Sequence, residues 1–271
     1  MYELSLISLI ALCLVSFIGV PHGSFDGAVA ALLGYKSKKQ FLLFIFLYTI
    51  ISIVVVIFWI YFPIIALLIF LFMSIINFGL CDWSYLNIKN YKWLITLTHG
   101  MNIIIGIIYF HREEAFKIFS FLSNENFNFF QNYLYIAYSI YLALAIIYFY
   151  CSFKEKKMRW GILEMALILI IASQIDPLTG FALYFCFVHT TKHVRAVLKN
   201  TNKYIDNKNF VLKSTAIFTL LTWLGGCAAI IYLSNNFSFS ESFIKTIFIG
   251  LAALTLPHMT LIDFFYRKKF N

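Results

Sequence analysis

The sequence predicts an all-α integral membrane protein, a polytopic helical bundle of about nine transmembrane helices with the N-terminus outside and the C-terminus cytoplasmic. Three observations carry that expectation. The 271 residues are 62% hydrophobic and only 12% charged, with a mean hydropathy of +0.84. Soluble domains carry roughly twice that share of charge. Apolar runs recur at the length needed to cross a bilayer, about 20 residues. The lysines and arginines gather in alternate connections between those runs, as the positive-inside bias requires.

The spans expected from the apolar runs are residues 3–20, 40–60, 63–83, 92–110, 132–152, 160–175, 177–196, 213–233 and 244–265, with about eight or ten as the neighbouring counts. The first follows Glu3 without a lysine or arginine and ends in Pro21-His22-Gly23. It lacks both the basic start and the small-residue cleavage site of a signal peptide, so it is expected to remain as a mature helix. The second and third are separated by Tyr61-Phe62-Pro63, where proline interrupts helical hydrogen bonding. An outer loop beginning His111-Arg112-Glu113-Glu114 joins the fourth to the fifth, and His111 is expected to be solvated there. The sixth is short and stops at Asp176-Pro177. No polar stretch is long enough to fold separately, so residues 1–271 are expected to form a single membrane-embedded domain. With the N-terminus outside, all of the 21 lysines and arginines except Arg112, Lys117 and Lys245 fall on the inner side.

The same distribution accounts for the net charge of +9 without a nucleic-acid partner. The five cysteines, Cys13, Cys81, Cys151, Cys186 and Cys227, lie in or beside apolar runs with no CxxC spacing. They read as small buried hydrophobes, neither a disulfide framework nor a zinc site.

His22, His99, His189, His193 and His258 sit within apolar runs, and the expected topology puts each in the inner half of the membrane. Ionisable groups at that depth are costly and default to a functional reading. His189 and His193 are four residues apart and share one helical face, suiting iron, zinc or copper. His193 could alternatively snorkel with Lys192 and Arg195 at the membrane edge. Gly19-Val20-Pro21-His22-Gly23-Ser24-Phe25-Asp26 breaks a helix around a histidine, which survives at depth only where protein or a cavity receives it. Asp26 is placed to orient the His22 ring, and Asp263 repeats that relation after Pro257-His258. His99-Gly100 offers a histidine without a carboxylate, while Asn77 and Asp82 close the third span on the same side. Polar helix–helix contacts are the bland account of the same residues. Ser24 beside His22 is a faint candidate for a serine nucleophile, and six histidines are too few for a desaturase-type di-iron centre.

Gly19-x-Pro21-His22-Gly23-x-x-Asp26, Asn77-Phe78-Gly79-x-x-Asp82, His99-Gly100, Tyr184-Phe185-x-Phe187-x-His189-x-x-x-His193 and Pro257-His258-Met259-x-Leu261-Ile262-Asp263 occur in that order along the chain. In this the chain resembles the Brp/Blh family of bacterio-opsin-related proteins and β-carotene 15,15′-dioxygenases. The resemblance implies a multi-pass enzyme of the bacterial inner membrane, using non-haem Fe(II) and O2 to cleave β-carotene centrally into two all-trans-retinal that supply a microbial rhodopsin. It implies metal ligands at His22, Asn77, His189 and His193, the three histidines being catalytic. His99, His258, Asp26, Asp82 and Asp263 are alternative ligands or groups behind them. Asn77 stands where the family pattern has histidine. Asn77 ligates or holds a water, or His99 or His258 takes the place, or the chain is a weakened member that still binds carotenoid. Which aromatic residues line a carotenoid slot is not legible. The rival functions are a carotenoid- or retinal-binding membrane protein without turnover, and a transporter or haem protein with axial histidines.

Overall fold

The computed structural model describes residues 4–35, 37–83, 86, 88–204 and 208–262; for His22, Asn128, residues 200–204 and Lys208 it describes the backbone path alone. The described residues are helices and their connections, with no strand among them. The helices are α1 (Leu6–Leu33), α2 (Lys38–Tyr61), α3 (Pro63–Asp82), α4 (Lys89–Phe110), α5 (Arg112–Ser123), α6 (Gln131–Lys154), α7 (Met158–Gln174), α8 (residues 177–204), α9 (Lys208–Leu233) and α10 (Phe239–Ile262). Seven of them among the described residues, all but α5, α7 and α8, are long and apolar enough to cross a membrane. The expected sixth and seventh spans are helical as well, but α7 has only 17 residues and α8 changes geometry midway. The loop expected after residue 110 contains α5, whose buried face carries Phe116, Phe119 and Leu122.

Local chemistry sets several helix ends. Ser37 with Gln40 and Ser238 with Glu241 form capping boxes that satisfy the first free amides of α2 and α10. Asp176 accepts from the Thr179 amide while Pro177 occupies the first turn of α8, where its missing N–H costs nothing. Gly34 ends α1 with φ of 115°, a left-handed conformation that favours glycine. Large apolar side chains face outward along α2, α6 and α9, among them Phe46, Ile53, Ile146, Phe149, Leu220 and Ile231. Hydrocarbon, not water, is the solvent that tolerates such continuous apolar surface.

The chain divides into two compact units, one of residues 1–66 and 185–271 and the other of residues 67–184. In the first, α2 packs on α10, and α9 packs on α10 and on the middle of α1. Its core joins Val29, Ala30, Phe44, Tyr48, Val197, Phe218 and Ile262. Phe44, Tyr48 and Phe218 meet with ring centroids 5.6 to 5.9 Å apart. In the second unit, α4 is buried over most of its length between α6 and α7. There α3 and α4 approach through glycine on both sides: a Cβ on Gly79 would collide with the Thr96 carbonyl, and one on Gly100 with that of Ile75. Small residues allow such backbone contact between membrane helices.

Candidate metal centre

The first unit places its histidines where helical geometry changes. α1 is α-helical to Leu14, π-helical over Val15–Gly19, 3-10 over Val20–Phe25 and α-helical again over Asp26–Leu33. The break expected at Pro21 is therefore a switch of helix type, and the chain stays helical to Leu33. Pro21 has no N–H to give to the preceding turn, and the wide π turn before it absorbs the mismatch. α8 is likewise π-helical over Tyr184–His189 and α-helical from Thr190. The two π turns touch at Gly19, where a Cβ would stand 2.6 Å from the Phe185 ring. In α10, Pro257 precedes His258, and the last described residues, 260–262, are π-helical.

These switches bring four buried polar side chains together. Asp26 is 0%, His189 0%, His193 2% and His258 4% exposed. His258 Nδ1 lies 2.9 Å from Asp26 Oδ1 and 3.0 Å from Oδ2. The Tyr48 hydroxyl donates to Asp26 Oδ2 at 2.8 Å. The His258 and His193 rings are 5.0 Å apart between centroids and steeply inclined, at 63°. His193 in turn runs nearly parallel to His189, 6.3 Å away at 20°, and Phe185 stacks on His189 at 5.6 Å. One ligand atom each from Asp26, His193 and His258 fall within 4.8 Å of one another.

The sequence expectations meet this geometry unevenly. His189 and His193 share a helix face as expected. The side chain of His22 and all of Asp263 lie outside the described part of the structure. Asp26, expected to orient His22, is hydrogen-bonded to His258 across 232 residues of sequence. Asn77, Asp82 and His99 belong to the second unit. Asn77 is 5% exposed on α3, and its Oδ1 has no hydrogen-bond partner among the described residues. Asp82 accepts from the Tyr184 hydroxyl. His99 stacks on Trp83 at 3.6 Å and meets the edge of Tyr148 at 4.9 Å, a packed core histidine of its unit. His111 is not a solvated loop residue: its Nε2 is 2.7 Å from the Ala172 carbonyl oxygen, and the ring is half-buried. Tyr48 carries no motif in the sequence, and Tyr184 enters there only as the first residue of the motif that ends in His193. A hydroxyl midway along an apolar helix needs an internal partner, and that is the signal that marks Tyr48.

Two imidazoles and a carboxylate, buried and converging, form a donor set suited to Fe(II) or a similar divalent ion. The residues present therefore fit such a metal. The free Cys186 nearby is buried and packs against Gly19.

Fold and cluster together define a polytopic helical membrane protein with a buried imidazole–carboxylate centre. The family model for beta-carotene 15,15'-dioxygenase matches residues 13–266. A protein named Beta-carotene 15,15'-dioxygenase, from uncultured marine bacterium 66A03, is 32% identical over 266 residues, covering 97% of this chain and 96% of that protein. The chain belongs to the β-carotene 15,15′-dioxygenase family. No solved structure matches it.

Proposed function

We propose that this chain is a non-haem Fe(II), O2-dependent dioxygenase of the bacterial inner membrane that cleaves β-carotene at its central double bond to two all-trans-retinal. The retinal supplies a microbial rhodopsin. The observation that carries the reading is the family match over residues 13–266 joined to buried histidines, two on α8 and one on α10, within the chain's first unit. The proposed ligands are His22, Asn77, His189 and His193, with residues 1–271 working as one domain. A single family model running through both units supports that unity.

Bound there, Fe(II) supplies the one-electron chemistry that lets O2 react with a closed-shell polyene. The chain's own contribution is placement and exclusion. His189 is held by the Phe185 ring on one side and lies beside His193, so the imidazoles are presented in fixed orientation. Burial of these rings keeps bulk water from the reacting bond. The proposed substrate is a long apolar polyene that offers no polar group for recognition, so binding rests on shape and dispersion, and entry is lateral from the bilayer.

Purified protein loaded with Fe(II) and given β-carotene and O2 tests the reading. Two retinals formed per β-carotene consumed supports it; longer, off-centre aldehydes or no product overturns it. One observation favours a second reading, a carotenoid-binding protein without turnover: Asn77 stands where the family pattern has histidine. Pigment held stoichiometrically without product would select that reading.

A further inference from the structure

We propose that His258 is a metal ligand of this chain, binding through Nε2, and that Asp26 and Tyr48 are the positioning residues that hold its ring for that task. The inference rests on the metal centre proposed above and adds to it a ligand on α10.

The geometry assigns the tautomer. A carboxylate only accepts, so the contacts of 2.9 and 3.0 Å make His258 Nδ1 the donor to Asp26. With Nδ1 protonated and engaged, Nε2 carries the lone pair that binds a metal. A carboxylate behind an imidazole is the arrangement that fixes ring orientation and raises ligand basicity. Asp26 is itself fixed from a second side, because the Tyr48 hydroxyl donates to Oδ2 at 2.8 Å. Each carboxylate oxygen thereby accepts a hydrogen bond from within the protein, which suits Asp26 to hold the His258 ring in place. Tyr48, Asp26 and His258 come from α2, α1 and α10, and no single helix movement preserves the set. This Tyr48–Asp26–His258 relay leads to His193, whose ring is 5.0 Å from that of His258 and inclined to it at 63°. One ring nitrogen of each lies within 4.8 Å of the other, and the 5.0 Å between ring centroids brings the two rings within reach of one ion. Pro257 supports the same assignment. It removes an N–H from the interior of α10 one residue before His258, a cost that a purely structural histidine does not require. His99, equally buried, shows the contrasting environment: it is packed against Trp83 and Tyr148.

The test measures metal binding, not turnover. Wild-type protein, His258→Ala, His258→Gln, Asp26→Asn and Tyr48→Phe are stripped, then titrated anaerobically with Fe(II) and, separately, with Co(II) against a competing chelator. Co(II) visible absorption reports coordination directly. The expected result is that both His258 variants lose at least 100-fold in metal affinity with an altered Co(II) band, and that Asp26→Asn loses about 10- to 100-fold. Tyr48→Phe loses less, in the same direction. His258→Gly regains the Co(II) band on addition of imidazole, which a structural role does not allow. A folded His258→Gln protein with wild-type affinity and an unchanged band overturns the proposal. So do Asp26→Asn and His258→Gln variants that lower melting temperature equally with and without metal while leaving affinity alone. Failure here is separable from failure of the proposed function: wild-type protein that binds iron and makes retinal, while the His258 variants keep their metal, loses this inference alone.

Discussion

Gly79 and Gly100 sit within two of the sequence motifs, beside Asn77 and His99, and their role is mechanical. Each faces a backbone carbonyl of the neighbouring helix so closely that no β-carbon fits. Overpacking a core against movable side chains costs about 1–3 kcal/mol. Backbone yields less, so Gly79→Ala and Gly100→Ala are expected to cost at least about 3 kcal/mol each. Gly225→Ala and Gly250→Ala serve as controls: a β-carbon there meets nothing within 4 Å, and alanine in a helix interior gains about 0.5–1 kcal/mol over glycine. Thermal unfolding in detergent distinguishes the pairs, and a small loss at Gly79 and Gly100 contradicts the close approach. Asn77 makes a second prediction at this scale. If it occupies a ligand position, Asn77→His raises both bound iron and retinal yield. If neither changes, Asn77 is not a ligand position and the assignment moves to His258.

Among elements, the π turns of α1 and α8 are where packing and chemistry meet. Phe185 touches Gly19 on one side and stacks on His189 on the other, at 5.6 Å. Gly19→Ala puts a β-carbon 2.6 Å from that ring, so the ring shifts and carries His189 with it. Metal affinity is expected to fall about tenfold, as for lost support behind a ligand. Gly19→Ala/Phe185→Leu restores it by opening space; chelator competition on both proteins checks this, and a double variant no better than the single one removes the link. This level was only partly legible. Apolar runs gave all nine expected spans as helices, because hydropathy reports length and burial in lipid. It does not report helix type, which here depends on Gly19 meeting Phe185 from 166 residues away. For the same reason the sequence pairs Asp26 with the nearby His22, whose side chain lies outside the described residues, and does not point to a second partner. The contact of Asp26 with His258 forms only once α1, α2 and α10 have packed. The histidine pair on α8 needed no such packing, and it was the part of the site most open to reading.

For the whole molecule, the distribution of charge predicts an orientation. α7 is 17 residues long, and seven helices among the described residues qualify as spans by length and composition. Seven or nine crossing segments, an odd number, would put the termini on opposite faces, whereas eight or ten would put them on the same one. Lysines and arginines then decide which connections face inward. Lys154, Lys156, Lys157 and Arg159 cluster between α6 and α7, whereas the connection between α4 and α6 carries only Arg112 and Lys117 with Glu113, Glu114 and Glu125. The positive-inside bias puts the first connection in the cytoplasm and the second outside. Single cysteines test this in a background lacking the five native ones. Asn124→Cys is expected to react with an impermeant maleimide in intact cells, and Lys156→Cys only after permeabilisation. The consequence reaches the site. With nine spans in this topology α8 and α10 run inward, and His189, His193 and His258 are expected toward the cytoplasmic side. Reversed labelling would put the same imidazoles toward the outer face and overturn the orientation that the charges predict.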